Sequence, residues 1–305
     1  MNLIGDHTDY TGGLVLPMAI DRWTTVTGVR TAGEVRVQSR HAAEAKPYVD
    51  AVARELGFDG GFDGCIDSTV PIGAGLSSSA ALEVAVALAL GFTGPPLELA
   101  RLCQRAEHRA TRVPTGIMDQ LTAAAGVEGH ALLIDCTTFA VTPVPLPDGV
   151  AVVVVDSGQR RPLAGSAYGE RAAQCAAAEV VVGPLRTATM SDVARIADGL
   201  VRRRARHVVT ENARVAAFAA ALEAGDVAEA GRLMAASHAS LRDDFDISTP
   251  VVDALVARLA AMPGVLGVRM TGGGFGGCVV ALARPGALHE GWLVRPVGAA
   301  EVGAA

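Results

Sequence analysis

Residues Pro71 to Leu90, PIGAGLSSSAALEVAVALAL, place the tightest restriction on what this chain can fold into. Gly73, Ala74 and Gly75 let the backbone turn sharply and approach a ligand with little side chain in the way. Leu76 follows, then Ser77, Ser78 and Ser79, then an apolar run from Ala80 to Leu90 broken only by Glu83. That run has helix-forming composition and length for about three turns. The serines therefore stand where a helix begins, where free backbone N–H groups and the positive end of the helix dipole favour an anion. An N-cap would account for one serine. Three in a row after G-x-G add hydroxyl donors and a possible oxygen ligand for Mg²⁺. The stretch reads as a phosphate cradle. It is not a Walker A loop, since no Gly-Lys-Ser/Thr follows, nor a dinucleotide fingerprint, since the third glycine is missing.

A chain of 305 residues, 50% of them hydrophobic, can bury one large core or two intimately packed domains. No apolar run of about 18 residues lacks a charge or turn signal, so no membrane partner is expected. No basic segment followed by an apolar stretch opens the sequence, so no secretory leader is expected either. Cys65, Cys103, Cys136, Cys175 and Cys278 are scattered without C-x-x-C spacing, which suits reduced thiols in a cytoplasmic protein and no metal cluster. A net charge of −6 argues against a nucleic-acid partner. The basic cluster Arg202, Arg203, Arg204 and Arg206 reads as a solvated helix face.

Asn2 to Asp21 reads as a short strand, a polar turn and a second strand. Asp6, His7, Thr8, Asp9 and Tyr10 crowd the turn between Gly5 and Gly12–Gly13. Such a loop either grips hydroxyls or caps its own backbone. Trp23–Val37 is β-rich with a turn at Ala32–Gly33, Pro47–Leu56 reads as a helix, and Cys65–Val70 as a strand entering the cradle. Pro95–Pro96 open a helix over Leu97–Ala110 that carries Glu107. Pro114, Thr115 and Gly116 break the chain, and Asp119 falls in the first turn of a helix Asp119–Ala125, where the dipole stabilises an acid whatever its role. Ala131–Asp135 and Ala151–Asp156 are apolar strands. The proline-rich connection between them marks a domain boundary, giving 1–147 and 148–305. Beyond it come a helix start with Ser166, Tyr168 and Arg171, helices over Val208–Leu222, Val227–Arg242 and Val251–Ala261, and a strand Leu266–Met270. The loop TGGGFGGC, Thr271–Cys278, then precedes a strand Val279–Ala283. Its glycines have no packing value, so they imply close backbone approach to something.

PIGAGLSSSA resembles the second motif of the GHMP kinases, the superfamily of galactokinase, homoserine kinase, mevalonate kinase and phosphomevalonate kinase. NLIGDHTDYTGGLVLPMAID is similar to the galactokinase signature. CQRAEHRATRVPTGIMDQ and GHALLIDC resemble the segment carrying that family's catalytic aspartate, and MTGGGFGGC resembles the third GHMP motif. The resemblance runs in order from Asn2 to about Val280. It implies an α+β fold of two domains, the first like ribosomal protein S5 domain 2 and the second ferredoxin-like. It also implies ATP-dependent phosphorylation of the anomeric hydroxyl of galactose, with Mg²⁺ as cofactor and ATP as co-substrate; the sequence leaves the oligomeric state open, with a monomer favoured. Carried over residue by residue, it makes Asp119 the carboxylate that takes the hydroxyl proton. Gly73, Ala74, Gly75, Leu76, Ser77, Ser78 and Ser79 would hold ATP, and Ser79 with Glu107 would hold Mg²⁺. Asp6, His7, Thr8, Asp9, Gly116 and Tyr168 would hold the sugar.

Three departures qualify that expectation. Galactokinases carry an arginine two residues before the position of Asn2 that stabilises the transferring phosphoryl group. This sequence begins at Met1 without it: either the start is misplaced, or the chain lacks a cation whose loss can slow transfer by orders of magnitude. Asp6 stands where the family has glutamate, which leaves arabinose, N-acetylgalactosamine or galacturonate open as the sugar. The segment from Arg40 to Lys46 and the tail after Ala283 are short, which removes part of the adenine side and a helix near the third motif. A catalytically impaired protein that binds sugar and ATP is the alternative these departures support.

Overall fold

The computed structural model describes residues 1–39, 42–71, 73–159 and 166–303. Arg40, Ile72 and residues 160–165 ahead of Tyr168, all in stretches singled out above, lie outside the described residues, as does the side chain of Ser166. The chain opens with two antiparallel strands, β1 (Asn2–Ile4) and β2 (Leu14–Pro17), with a 3₁₀ turn over Asp9–Thr11 between them. Leu3, Ile4, Val15 and Leu16 are fully buried, so the polar loop hangs between two core strands. β3 (Thr24–Thr31) and β4 (Val35–Gln38) flank the turn at Gly33. Helix α1 (Ala42–Leu56) then carries the chain to β5 (Gly61–Ser68), which lies between them, antiparallel to β3 and parallel to β4. A parallel pair needs such a crossover.

α2 (Ser78–Ala89), α3 (Pro96–Thr111) and α4 (Met118–Ala125) follow. They pack with α1 around Val84, Ala87, Leu99 and Leu102, closed on the sheet side by Phe62. Pro96 sits at the start of α3, where its missing N–H would have lacked a helical partner in any case. β6 (His130–Asp135) and β7 (Val141–Pro145) complete a sheet in the order β1-β2-β6-β7. Pro143 and Pro145, read in the sequence as part of a connection, belong instead to this last strand, opposite Leu132 and His130. An edge strand is where a sheet tolerates a missing donor.

The second half begins with β8 (Ala151–Asp156), followed by α5 (Ser166–Val182), the short α6 (Met190–Val193), α7 (Gly199–Glu223) and α8 (Val227–Ser240). A π turn over Leu241–Phe245 leads to α9 (Pro250–Ala260), then to β9 (Val265–Met270), β10 (Cys278–Ala283) and β11 (Trp292–Val294). Asp198, Asp226 and Thr249 cap α7, α8 and α9 through their side chains. The sheet runs β11-β8-β10-β9 with every neighbour antiparallel, the ferredoxin-like order expected. Among the described residues, 284–291 join β10 to β11 without a helix, in line with the short tail. Gly231 on α8 meets Gly267 on β9 so closely that a Cβ on Gly231 would sit 2.0 Å from the Leu266 carbonyl oxygen. Among the described residues, no helix is long and apolar enough to cross a membrane.

α7 ties the two sheets together. Its Val215, Phe218, Ala219 and Leu222 share one core with Leu3, Ile4 and Leu16 on one side and with Val152, Val154 and Val280 on the other. The arginine cluster at its start is not a solvated face throughout. Arg203 is exposed, but Arg204 is fully buried and donates to Gln174 Oε1 and the Asp244 carbonyl. Arg171 on α5 donates to the carbonyls of Phe245 and Asp246. The two guanidinium groups satisfy carbonyls at the π turn, a need that charge patterning along α7 does not reveal.

Candidate active site

α2 begins at Ser78, as the serine cluster predicted, with Ser77 before it in the left-handed conformation at φ 62°. A non-glycine residue there stores strain of about 1–3 kcal/mol, which persists only where the surroundings impose it. Gly73 and Gly75 also have positive φ, 70° and 79°. The surroundings are the glycine loop. Cys278 N–H donates to the Ala74 carbonyl at 3.0 Å. A Cβ on Gly75 would fall 3.0 Å from the Thr271 carbonyl oxygen, and one on Gly272 would fall 2.9 Å from that of Gly75. The close approach implied by TGGGFGGC is thus to the cradle backbone itself.

Glu107 reaches the tip of α2 from α3. Ser79 Oγ donates to its Oε1 at 2.8 Å, while Thr115 Oγ1 and Gln120 Nε2 donate to its Oε2 at 2.7 and 2.8 Å. A serine hydroxyl and a carboxylate in contact are hard oxygen donors of the kind Mg²⁺ takes. Among the described residues no three His, Cys, Asp or Glu gather around a metal position. Gln120 also donates to Glu83 Oε2 at 3.1 Å. Glu83 is fully buried. Burial, then the charges of Glu107 and Asp119, push its carboxyl up to about 10, so it is neutral at pH 7.

Sequence reasoning passed over Glu83, Thr115 and Gln120 as site residues. One signal for the first was available: Glu83 lies four positions after Ser79 in an otherwise apolar helix, on the same face one turn on.

In the loop between β1 and β2, His7 adopts a left-handed φ of 65°. Its Nδ1 lies 3.0 Å from the Tyr10 hydroxyl, and its ring meets Tyr168 and Phe245 at centroid distances of 5.0 and 4.7 Å. Tyr168, far along the chain on α5, therefore does reach the loop. Asp9 lies against Gly116, where an added Cβ would come within 1.7 Å of Asp9 Oδ2. Burial, then the charge of Asp119, push the Asp9 carboxyl up to about 7. The charge of Asp119 is thus felt at Asp9, and its chain neighbour Gln120 touches Glu107. The structure turns Thr8 and Asp6 inward. Thr8 Oγ1 bonds the carbonyls of Gly5 and Leu14. Asp6 pairs with buried Arg269 at 2.6 Å and accepts the Gly272 N–H at 3.1 Å. Gly116→Ala is expected to drive Asp9 aside and destabilise the fold by about 1–3 kcal/mol, read by denaturant melts.

A serine-tipped helix under a glycine loop, with a carboxylate bonded at its tip in an α+β fold, is the arrangement of the GHMP kinase superfamily, and the family models match this chain. The models of the GHMP kinases N terminal domain and of the GHMP kinases C terminal region match residues 43–127 and 218–290. The galactokinase galactose-binding signature matches residues 1–30. The galactokinase of Chloroflexus aurantiacus is 43% identical over 97% of this chain and 86% of its own. Lactococcus lactis galactokinase complexed with galactose matches with a TM-score of 0.86 at 32% identity, covering 93% of this chain and 83% of that one. L. major mevalonate kinase in complex with R-mevalonate, at 20% identity and a TM-score of 0.70 over 98% of this chain and 94% of its own, shares the fold. The chain belongs to the galactokinase family, phosphotransferases that act on a sugar hydroxyl.

Proposed function

We propose that this chain transfers the γ-phosphoryl group of ATP to the anomeric hydroxyl of galactose. The observation that supports the reading is the meeting at Glu107: its carboxylate accepts from Ser79 at the helix tip and from Gln120, the chain neighbour of Asp119, and it also accepts from Thr115, whose neighbour Gly116 packs against Asp9 of the signature loop. Residues 1–147 supply the sugar loop, cradle and carboxylates, and residues 148–305 bring in Tyr168 and the glycine loop. Backbone N–H groups of Gly73–Ser79 and the α2 dipole hold the phosphates. Ser79 and Glu107 hold Mg²⁺, which when bound neutralises charge on the β- and γ-phosphates. Asp119 orients the anomeric hydroxyl and takes its proton. His7, Asp9 and Tyr168 orient the ring, with Gly116 leaving room for Asp9. Asp6 acts by holding the loop against Arg269 and Gly272, so the shorter side chain does not by itself redirect the sugar. The test is ADP release with galactose, arabinose, N-acetylgalactosamine and galacturonate in turn. Turnover on galactose well above the others is expected. Activity restricted to another sugar, or none on any, overturns the reading.

The pH dependence follows from Asp9. Its raised value means it is neutral below about pH 7 and cannot then accept two hydroxyl protons. Galactose affinity is expected to fall about tenfold per pH unit below that point. Asp119→Asn removes the like charge, lowers the Asp9 value and moves this limb to lower pH. Calorimetric galactose titrations of both proteins between about pH 5 and 8 check the shift.

A further inference from the structure

The sugar loop is held from a helix some two hundred positions away in the chain. Gly5 N–H donates to Glu211 Oε1 at 3.1 Å, the Asp6 carbonyl accepts from His207 Nε2 at 3.1 Å, and Leu14 N–H donates to Asn212 Oδ1 at 2.7 Å. Positions 207 and 211 are one turn apart, and 212 stands beside them, so one face of α7 meets the loop at both ends.

His207 and Glu211 are themselves fixed. His207 Nδ1 lies 2.9 Å from Ser240 Oγ. Its Nε2 faces a carbonyl that only accepts, so Nε2 carries the proton and Nδ1 accepts the serine hydroxyl. Burial pushes the imidazole down to about 4, which keeps it neutral and in this tautomer. Burial acts to raise the Glu211 carboxyl, but His207, Arg214 and Arg269 outweigh it and hold it at about 2. Arg214 Nε donates to Glu211 Oε2 at 2.6 Å, and Ser237 Oγ donates to Oε1. On the loop side there is no slack. A Cβ on Gly13 would lie 2.5 Å from Asn212 Oδ1 and 2.8 Å from the Thr8 carbonyl oxygen.

We infer that His207, Glu211 and Asn212 are positioning residues for sugar binding, clamping the backbone of residues 5–14 so that His7 and Asp9 project at fixed spacing. They touch no substrate. They convert the shared core of α7 into rigidity of the loop, which the inference takes, with the proposed function, to be the sugar site. The clamp also explains how His7 is kept left-handed: the bonds to its neighbours Gly5 and Asp6 leave the residue little choice.

Asn212 offers the cleanest test, because its loss removes one backbone bond without leaving a buried charge. Asn212→Ala is expected to speed hydrogen exchange at the Leu14 amide by about tenfold or more. It should raise the galactose KM by about 10–100-fold with the ATP KM within about twofold. Asn212→Asp, which keeps an acceptor at Oδ1, should restore slow exchange and most of the galactose KM. Equal rises in both KM values, a fall in melting temperature alone, or no rescue by Asp overturns the clamp. Because the exchange measurement needs no substrate, an absence of galactose turnover in the parent protein would count against the proposed function and leave the clamp to be judged by exchange.

Discussion

Asp119→Asn is expected to lower kcat by about 10²–10⁴-fold while galactose and ATP still bind. The asparagine is isosteric and sits in the same first turn of α4, so Gln120 keeps its bond to Glu107 and the cradle stays as it is. What changes is charge. An amide cannot take the hydroxyl proton, and it no longer holds a negative partner beside Asp9. Because phosphoryl transfer passes through a loose transition state, positioning and charge neutralisation supply most of the rate, which bounds the loss from above. Single-turnover phosphoryl transfer read by quench flow isolates the chemical step. A rate within tenfold of the parent would remove Asp119 from the role given to it.

Arg269→Met is expected to destabilise the fold by about 3–5 kcal/mol, the range for breaking a buried ion pair by removing one partner. Both Arg269 and Asp6 are buried, their contact is 2.6 Å, and Arg269 Nη1 also donates to the Leu3 carbonyl at 3.0 Å. Burial raises the Asp6 carboxyl, and Arg269 is the chief influence opposing it. Without the arginine, Asp6 takes up a proton in the folded state at a pH where the unfolded chain has lost it. The folded state then binds more protons than the unfolded one, so the variant loses stability as pH rises above the unfolded value and recovers it toward acid. Denaturant melts across pH check the sign. Asp6→Asn combined with Arg269→Met should recover part of the loss, since no unpaired carboxylate remains. Glycine-loop geometry depends on the same pair, because Asp6 Oδ1 holds the Gly272 N–H. A fall in activity that survives the recovery of stability would report that tie.

What the sequence made legible is what local chemistry determines. Gly73–Ser79 announces itself through glycines and hydroxyls ahead of an apolar run, and the structure starts α2 at Ser78. Asp119 follows a Pro-Thr-Gly break, and Glu107 comes to the helix tip as the family pattern implied. What stayed hidden are pairings across long separations. Asp6 looked like a hydroxyl ligand because its turn is polar, but its carboxylate is committed to Arg269, which no local pattern links to it. Arg204 looked solvated among its arginine neighbours, but the carbonyls freed by the π turn at Leu241–Phe245 draw it inside. Pro143 and Pro145 looked like a linker because their effect on a strand depends on which edge faces solvent, and that is decided only when β7 docks on β6. The clamp from α7 onto Gly5, Asp6 and Leu14 is of the same kind.

The most direct measurement is phosphorus NMR of the reaction of this protein with galactose, ATP and Mg²⁺. A sugar-phosphate signal coupled to the anomeric proton, growing in step with ADP and absent with Asp119→Asn, is the expected result. ADP accompanied only by inorganic phosphate, or phosphate on another hydroxyl, would contradict a site in which the serine-tipped helix and Asp119 close on the anomeric oxygen.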